Sequence, residues 1–300
     1  MGPSLTGISP RNLRPEIFRL NPCSIPDMVI TLVFQLQQDT LPSLDEHVGD
    51  LWKVATLLDL FGFPIDDWCP PAATPKKSLE SPAFDRNGPT SVAREKFRVQ
   101  DEKDATTDFH FRRTGVWTKG RGGVFSILLS SDVDNPICLV KLQFDEVTAL
   151  NDARNMQRLV LGLLDIWPSA ANIRVGPLMY YTLHQVFPKR PGAGWMLYLA
   201  KVITISELPE AAQLVPVMEG DTQRGTIIVS VANEVFSVDN PEHVKIANSI
   251  EVRLADQDLL PRQSHEPRGS AEDEGKSLAD SDPRLRPKRT RVRRSAHSNS

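Results

Sequence analysis

Ser43-Leu-Asp-Glu46 is a capping box, and it constrains the fold more than any other short segment of this chain. The Ser43 hydroxyl is placed to accept from the third backbone N–H of a helix, while Glu46 reaches back to the N–H of Ser43. Leu44, Val48, Leu51, Trp52, Ala55 and Leu58 follow at helical spacing, and Gly62 is suited to terminate the helix. A one-sided helix of this kind needs a partner layer. The sequence on either side supplies strands: Met28 to Gln35 reads as one immediately before the helix, and Gly115 to Thr118, Val124 to Ser130 and Ile137 to Phe144 read as three more. Lys119-Gly-Arg-Gly-Gly123 and Ser131-Asp-Val-Asp-Asn-Pro136 are the expected turns between these last three.

The remainder alternates less regularly. Pro64, Pro70, Pro71, Pro75 and Pro82 make residues 63–82 read as a long loop. A short helix is expected from Thr90 to Phe97, and residues 99–110 read as polar and exposed. Thr148 is placed to cap a helix running to about Trp167, while Ile173 to Phe187 fits strand and helix equally. Trp195 to Leu199, the region of Leu214 to Val217, and Thr226 to Val231 read as strands. Asn240-Pro-Glu opens a last helix, with Pro241 at its first position and Val244, Ala247, Ile250 and Leu254 on its apolar face. Strands in the middle bracketed by helices predict a single α+β domain with a largely antiparallel sheet. That domain is expected over residues 28–261, after an N-terminal extension of residues 1–27.

Beyond residue 261 the composition changes. Residues 262–300 are nearly free of large apolar residues and end in the basic run Arg284 to Arg294, so a disordered tail is expected. The tail holds 10 Lys+Arg and 6 Asp+Glu. That leaves 25 and 32 of the chain's 35 and 38 for residues 1–261, a net of −7. An acidic body fits a partner with a basic face and argues against nucleic-acid binding, except through the tail.

Few residues invite chemistry. Cys23, Cys69 and Cys138 are too few and too scattered for a disulfide framework or a zinc site, and free thiols suit a cytoplasmic location. The longest apolar run, Trp195 to Ile205, is interrupted by Lys201, and no membrane association is expected. His47 and His243 each follow a glutamate early in a helix, which predicts a solvated first turn. Lys119 to Gly123 lacks the spacing of a phosphate loop, and Asp132-Val-Asp134-Asn135 lacks the glycine and closing glutamate of a calcium loop; both read as hairpin turns. Trp52, Tyr180, Tyr181, Trp195 and Tyr198 read as core. No catalytic, cofactor-binding or metal-binding residue is assigned, and no cofactor is expected.

Four blocks in order carry a resemblance: Val175-Gly-Pro177, Phe187-Pro-Lys-Arg-Pro-Gly-Ala-Gly-Trp195, Gly225-Thr-Ile-Ile-Val-Ser230, and Asn240 to Pro261. Across residues 28–261 the chain resembles bacterial immunity protein family 52. The resemblance implies a non-enzymatic inhibitor of a nuclease toxin with a restriction-endonuclease-like fold, delivered by contact-dependent or type VI secretion machinery and encoded by the neighbouring gene. The long Pro-rich loop and both terminal extensions depart from a compact family pattern. If the toxin presents a basic groove, acidic residues in loops or at a helix end are the candidate contacts: Asp66, Asp67, Asp132, Asp134, Asp256 and Asp258. The alternatives are a nucleic-acid-binding adaptor acting through the basic tail, and an enzyme whose site the sequence does not declare.

Overall fold

The structure, a computed structural model, describes residues 28–37, 40–104, 111–119, 122–132, 136–145 and 147–262. The expected first strand, β1 (Met28–Gln35), lies inside the sheet rather than at an edge. It pairs antiparallel with β7 (Ile137–Phe144) on one side and with β8 (Asn172–Gly176) on the other. Beyond β7 come β6 (Gly123–Ser130), β5 (Phe111–Thr118) and the two-residue β2 (Trp68–Cys69). Beyond β8 come β9 (Met196–Leu199), β11 (Thr222–Val229) and β10 (Gln213–Glu219). Every pairing in this nine-stranded sheet of described residues is antiparallel, as the α+β reading requires.

Register sorts the side chains into two faces, because residues directly opposite each other point the same way. Ile30, Leu32 and Phe34 of β1 stand opposite Leu142, Val140 and Cys138, and Ile30 and Leu32 also stand opposite Val175 and Ile173. All of these are buried. On this face lie α1 (Leu44–Asp59) and α4 (Ala153–Ile166), the latter through the contact of Trp167 with Phe34, 5.8 Å between ring centroids. The two helices touch where Gly162 leaves room for Leu57. The capping box is present in full: the Ser43 hydroxyl accepts from Glu46 N–H at 3.2 Å, and Glu46 accepts from Ser43 N–H at 2.8 Å. Gly62, at φ 91°, turns the chain after the helix.

Three sequence expectations are corrected. Residues 63–82 are not one long loop. A 3₁₀ turn (Ile65–Asp67), strand β2 and a short helix α2 (Pro75–Leu79), capped by Thr74, divide the segment. Trp68 is fully buried between Phe63 and Phe125, and burying it draws the backbone into the sheet edge, where Trp68 and Cys69 pair with Thr118 and Trp117. After the small hairpin of β3 (Phe84–Asp85) and β4 (Gly88–Pro89), α3 spans Ser91–Asp104, well beyond Phe97. Arg98, paired with Glu95 and Glu102 at helical spacing, supports that polar second half.

Helix α4 is capped by Asp152, whose Oδ1 accepts from the N–H groups of Arg154 and Asn155 at 2.9 and 3.0 Å; Thr148 instead opens a preceding 3₁₀ turn. The ambiguous stretch from Ile173 resolves into both readings, with β8 followed by a π-helical turn at Tyr180–His184. The last helix, α5 (Pro241–Asp256), starts as expected, with the Asn240 side chain accepting from Glu242 N–H at 3.1 Å. The central residues of the two expected hairpin turns, 120–121 and 133–135, lie outside the described residues; the strands that flank them pair antiparallel, β5 with β6 and β6 with β7. The expected extension, residues 1–27, and the expected tail from residue 263 lie outside the described residues.

Candidate functional site

Two of the blocks that carry the family resemblance, Phe187 to Trp195 and Asn240 to Pro261, meet in space at one carboxylate. Glu251 sits on the buried face of α5 and is fully enclosed. Its Oε1 accepts from the Tyr180 hydroxyl at 2.6 Å and from Ala193 N–H at 2.9 Å, and its Oε2 accepts from Val186 N–H at 2.9 Å. One side chain of the last block therefore pins both ends of the Val186 to Ala193 loop and the π-turn before it. Burial pushes the Glu251 carboxyl above the ordinary carboxylate range, and the three donors oppose that shift by favouring the charged form. The Tyr180 hydroxyl is pushed upward, first by its own burial and then by the adjoining carboxylate.

The glycines of the loop have a specific task. A Cβ on Gly194, which adopts φ 50°, would lie 2.5 Å from the Tyr181 hydroxyl, and one on Gly176 would lie 2.9 Å from it. The Tyr181 ring is admitted because those side chains are missing. It lies beneath the Arg174 guanidinium, 4.9 Å from the ring centroid. Arg174 stands opposite Thr31 in the register, so Tyr181 covers the sheet face opposite α1. Trp195 closes the loop by donating from its indole to the Val231 carbonyl at 2.8 Å.

Beside this braced loop is an open cleft of about 390 Å³ at the end of the sheet where β1 begins and β7 and β8 finish. Met28, Phe144, Leu150, Met179 and Phe236 give it an apolar lining. Its ionisable lining groups are Asp145 and Asp239, with Asn151 and Ser237 adding neutral polar atoms. The wall formed by residues 235–239 is held from behind. Phe236 meets Tyr180 edge-on at 5.3 Å, and Ser237 N–H donates to His243 Nδ1 at 3.1 Å. With Nδ1 accepting, the His243 proton resides on Nε2, which faces Glu234 Oε1 at 3.1 Å.

The solvated first-turn reading of the two histidines is overturned. His243 is buried, and so is His47, whose Nε2 lies 2.6 Å from the Thr114 hydroxyl under the sheet. Burial, reinforced by the nearby Arg112 charge, lowers the His47 pKa to about 3. Each ring sits on the inward side of its helix, where the preceding glutamate points outward; the neighbouring charge misled the sequence reading. The core reading of Tyr180, Trp195 and Tyr198 agrees with their burial. Trp52 and Tyr181 are only partly buried against the core.

The acidic candidates that are described fall at three separate elements. Asp66 is exposed and Asp67 half-buried in the turn before β2, the last strand on its side of the sheet. Asp132 is exposed just past β6, and Asp134 lies outside the described residues. Asp256 is exposed at the end of α5, and Asp258, at φ 55°, is exposed beyond it, its carbonyl accepting from Lys201 Nζ at 3.0 Å. None of the five that are described lines the cleft. Sequence reasoning missed Glu251, Asp145 and Asp239. For Glu251 a signal existed, since a carboxylate falls on the same helical face as Ala247, Ile250 and Leu254.

Among the described residues no group of three His, Cys, Asp or Glu side chains is arranged to hold a metal, and no helix is long and apolar enough to cross a membrane. Cys69 and Cys138 are buried free thiols. Among curated proteins nothing matches the chain. Of the solved structures, the Pseudomonas aeruginosa T6SS protein PA0821 is similar at 11% identity and a TM-score of 0.45, over 82% of this chain and 77% of that one. So loose a likeness bears no functional weight. The sequence resemblance has firmer support: residues 182–263, which hold the braced loop, the cleft wall and α5, match the family model of Immunity protein 52.

Proposed function

We propose that this protein is an immunity protein that binds and neutralises a nuclease toxin of restriction-endonuclease-like fold, in the cytoplasm of the cell that makes both. The match of residues 182–263 to Immunity protein 52 carries the reading. The matched segment is built as a rigid surface, a loop and a helix locked together by Glu251, and rigidity before binding lowers the ordering cost of association. Inhibition on this reading is occupation of the toxin by a protein surface, and no reaction is assigned to the chain.

The toxin is the product of the neighbouring gene, delivered by contact-dependent or type VI secretion machinery. A nuclease presents a basic groove to its substrate, and a body of net charge −7 is drawn toward such a groove. Asp66, Asp67, Asp132, Asp134, Asp256 and Asp258 are the proposed charged contacts. The test is co-expression of the full chain with the nuclease domain encoded beside it, scored by cell survival and co-purification. Rescue with a stable complex is expected; folded proteins that neither associate nor restore growth would refute the reading. Charge reversal at the proposed aspartates is expected to slow association and flatten its salt dependence.

A further inference from the structure

The cleft beside the braced loop is the feature that the proposed function leaves unused. Its lining is mostly apolar, with Phe144, Leu150 and Phe236 contributing side chains that also belong to the core. An apolar recess that a partner can enter offers desolvation energy in proportion to the area covered. Among the described residues its charged lining groups are both carboxylates, and no lysine or arginine lines it. The same bias extends along the wall: from Gly225 to Val244 the chain carries Glu234, Asp239 and Glu242 and no lysine or arginine, its one histidine, His243, being buried against Glu234. Asp239 is exposed at the rim.

The wall is also fixed in advance. Phe236 is held by Tyr180, Tyr180 by Glu251, and Ser237 by His243, so this side of the recess need not be ordered on binding. An apolar floor with an acidic rim selects an apolar side chain flanked by a lysine or arginine. The chain itself has basic stretches that meet the description, around Arg11 to Arg19 and at Arg284 to Arg294. The cleft wall, however, falls within the segment matched to Immunity protein 52, whereas both of those stretches fall outside it. Only the wall residues 235–239 belong to the matched segment, and the other lining residues precede it, so the choice of occupant rests on charge: a basic segment of a toxin that must hold a cationic groove for its substrate complements the acidic rim.

We infer that this cleft receives a basic segment of the toxin, one apolar side chain seated on the half-buried Val147, Met179 and Val238 and a neighbouring lysine or arginine meeting Asp239. The inference rests on the immunity reading and adds to it the place and the chemistry of contact. It is tested with the full chain and a catalytically inactivated form of the nuclease domain encoded beside it. Affinity is measured by calorimetry at low and high salt for the wild type, for Asp239→Arg, and for Glu80→Arg, an exposed charge reversal outside the cleft that alters the net charge equally. Asp239→Arg is expected to weaken binding at least tenfold and to reduce its salt dependence, with Glu80→Arg staying within about threefold of wild type.

A photo-crosslinking amino acid in place of Val238 supplies the second measurement, and it is expected to label the toxin. A wild-type complex whose affinity is unchanged by Asp239→Arg, or falls no further than with Glu80→Arg, would overturn the cleft and leave the immunity reading standing. Crosslinks confined to residues 1–27, to residues 262–300 or to a second copy of the chain would do the same. Failure of the wild type to bind at all would remove the immunity reading and this occupant with it.

Discussion

Helices α1 and α5 are both sixteen residues long and both start at a side-chain cap; α1 buries one ionisable side chain, His47, and α5 buries two, His243 and Glu251. His47 and Glu251 are used in opposite ways. His47 on α1 meets the Thr114 hydroxyl and is held in its neutral form. Glu251 on α5 accepts from three donors on two separate segments. The first is a polar group tolerated inside a packed layer of α1 and the sheet. The second is a fastening that ties both ends of the loop to α5, while Gln185, donating to the Phe187 and Arg190 carbonyls, shapes the loop from within. Burial fraction alone would rank the two alike; the number and origin of the partners separates them.

The comparison breaks most visibly at Glu251. Glu251→Ala leaves the N–H groups of Val186 and Ala193 without their acceptor, whereas the Tyr180 hydroxyl retains Asn248 Oδ1 at 3.0 Å. Loss of a buried carboxylate serving several donors is expected to cost about 3–5 kcal/mol in urea unfolding. Glu251→Gln keeps one acceptor oxygen but turns an NH₂ group toward a donor, and is expected to recover only part of that loss. A change below about 1 kcal/mol for the alanine variant would show that apolar packing, and not the carboxylate, holds the loop.

At α1 the distinction is sharpened by pH. Because the folded His47 has a pKa of about 3, the folded state resists a proton that the unfolded chain takes up near the ordinary value of 6.5. Stability from this group is therefore complete above about pH 6.5 and is lost as the pH falls from there toward 3. The expected loss is on the order of 4 kcal/mol, read as a falling urea midpoint. His47→Gln removes the titrating group, so its midpoint is expected to decline less over the same interval. Parallel declines for the two proteins would place the acid sensitivity elsewhere.

What was legible in the sequence follows the same division between local and distant causes. The Ser43 box, the Asn240-Pro241 start and the strand alternation are local, and each element they announce is present. Strand β2 was hidden because a long-range packing of Trp68 against Phe63 and Phe125 creates it, in a segment whose prolines announce only loop. Asp152 outcompeted Thr148 as the cap of α4 although both are suitable residue types, and nothing in the spacing ranks them. The motif Phe187 to Trp195 was legible as a resemblance but not as a structure, since its glycines answer to Tyr181 and its loop to Glu251, distant residues in both cases. The cleft is assembled from four separate stretches of chain and left no local trace.

The smallest expected effect is the one that should make the two helices alike. Ser43 and Asn240 each satisfy a backbone N–H at the start of a helix, at 3.2 and 3.1 Å respectively. Replacing either by alanine is expected to cost about 1 kcal/mol. The cap of α1 has in addition the return bond from Glu46, whose carboxyl is held below its ordinary range by the Ser43 hydroxyl and N–H, and α5 has Pro241 in compensation. If fastening through Glu251 dominates at α5, Asn240→Ala should lower global stability without loosening the Val186 to Ala193 loop. Amide hydrogen exchange reads that directly. Protection at Val186 and Ala193 is expected to fall sharply in Glu251→Ala and, in Asn240→Ala, by no more than the change in global stability. Equal local losses in the two variants would mean that α5 acts on the loop as a whole helix, and that its carboxylate is no more a fastening than His47 is.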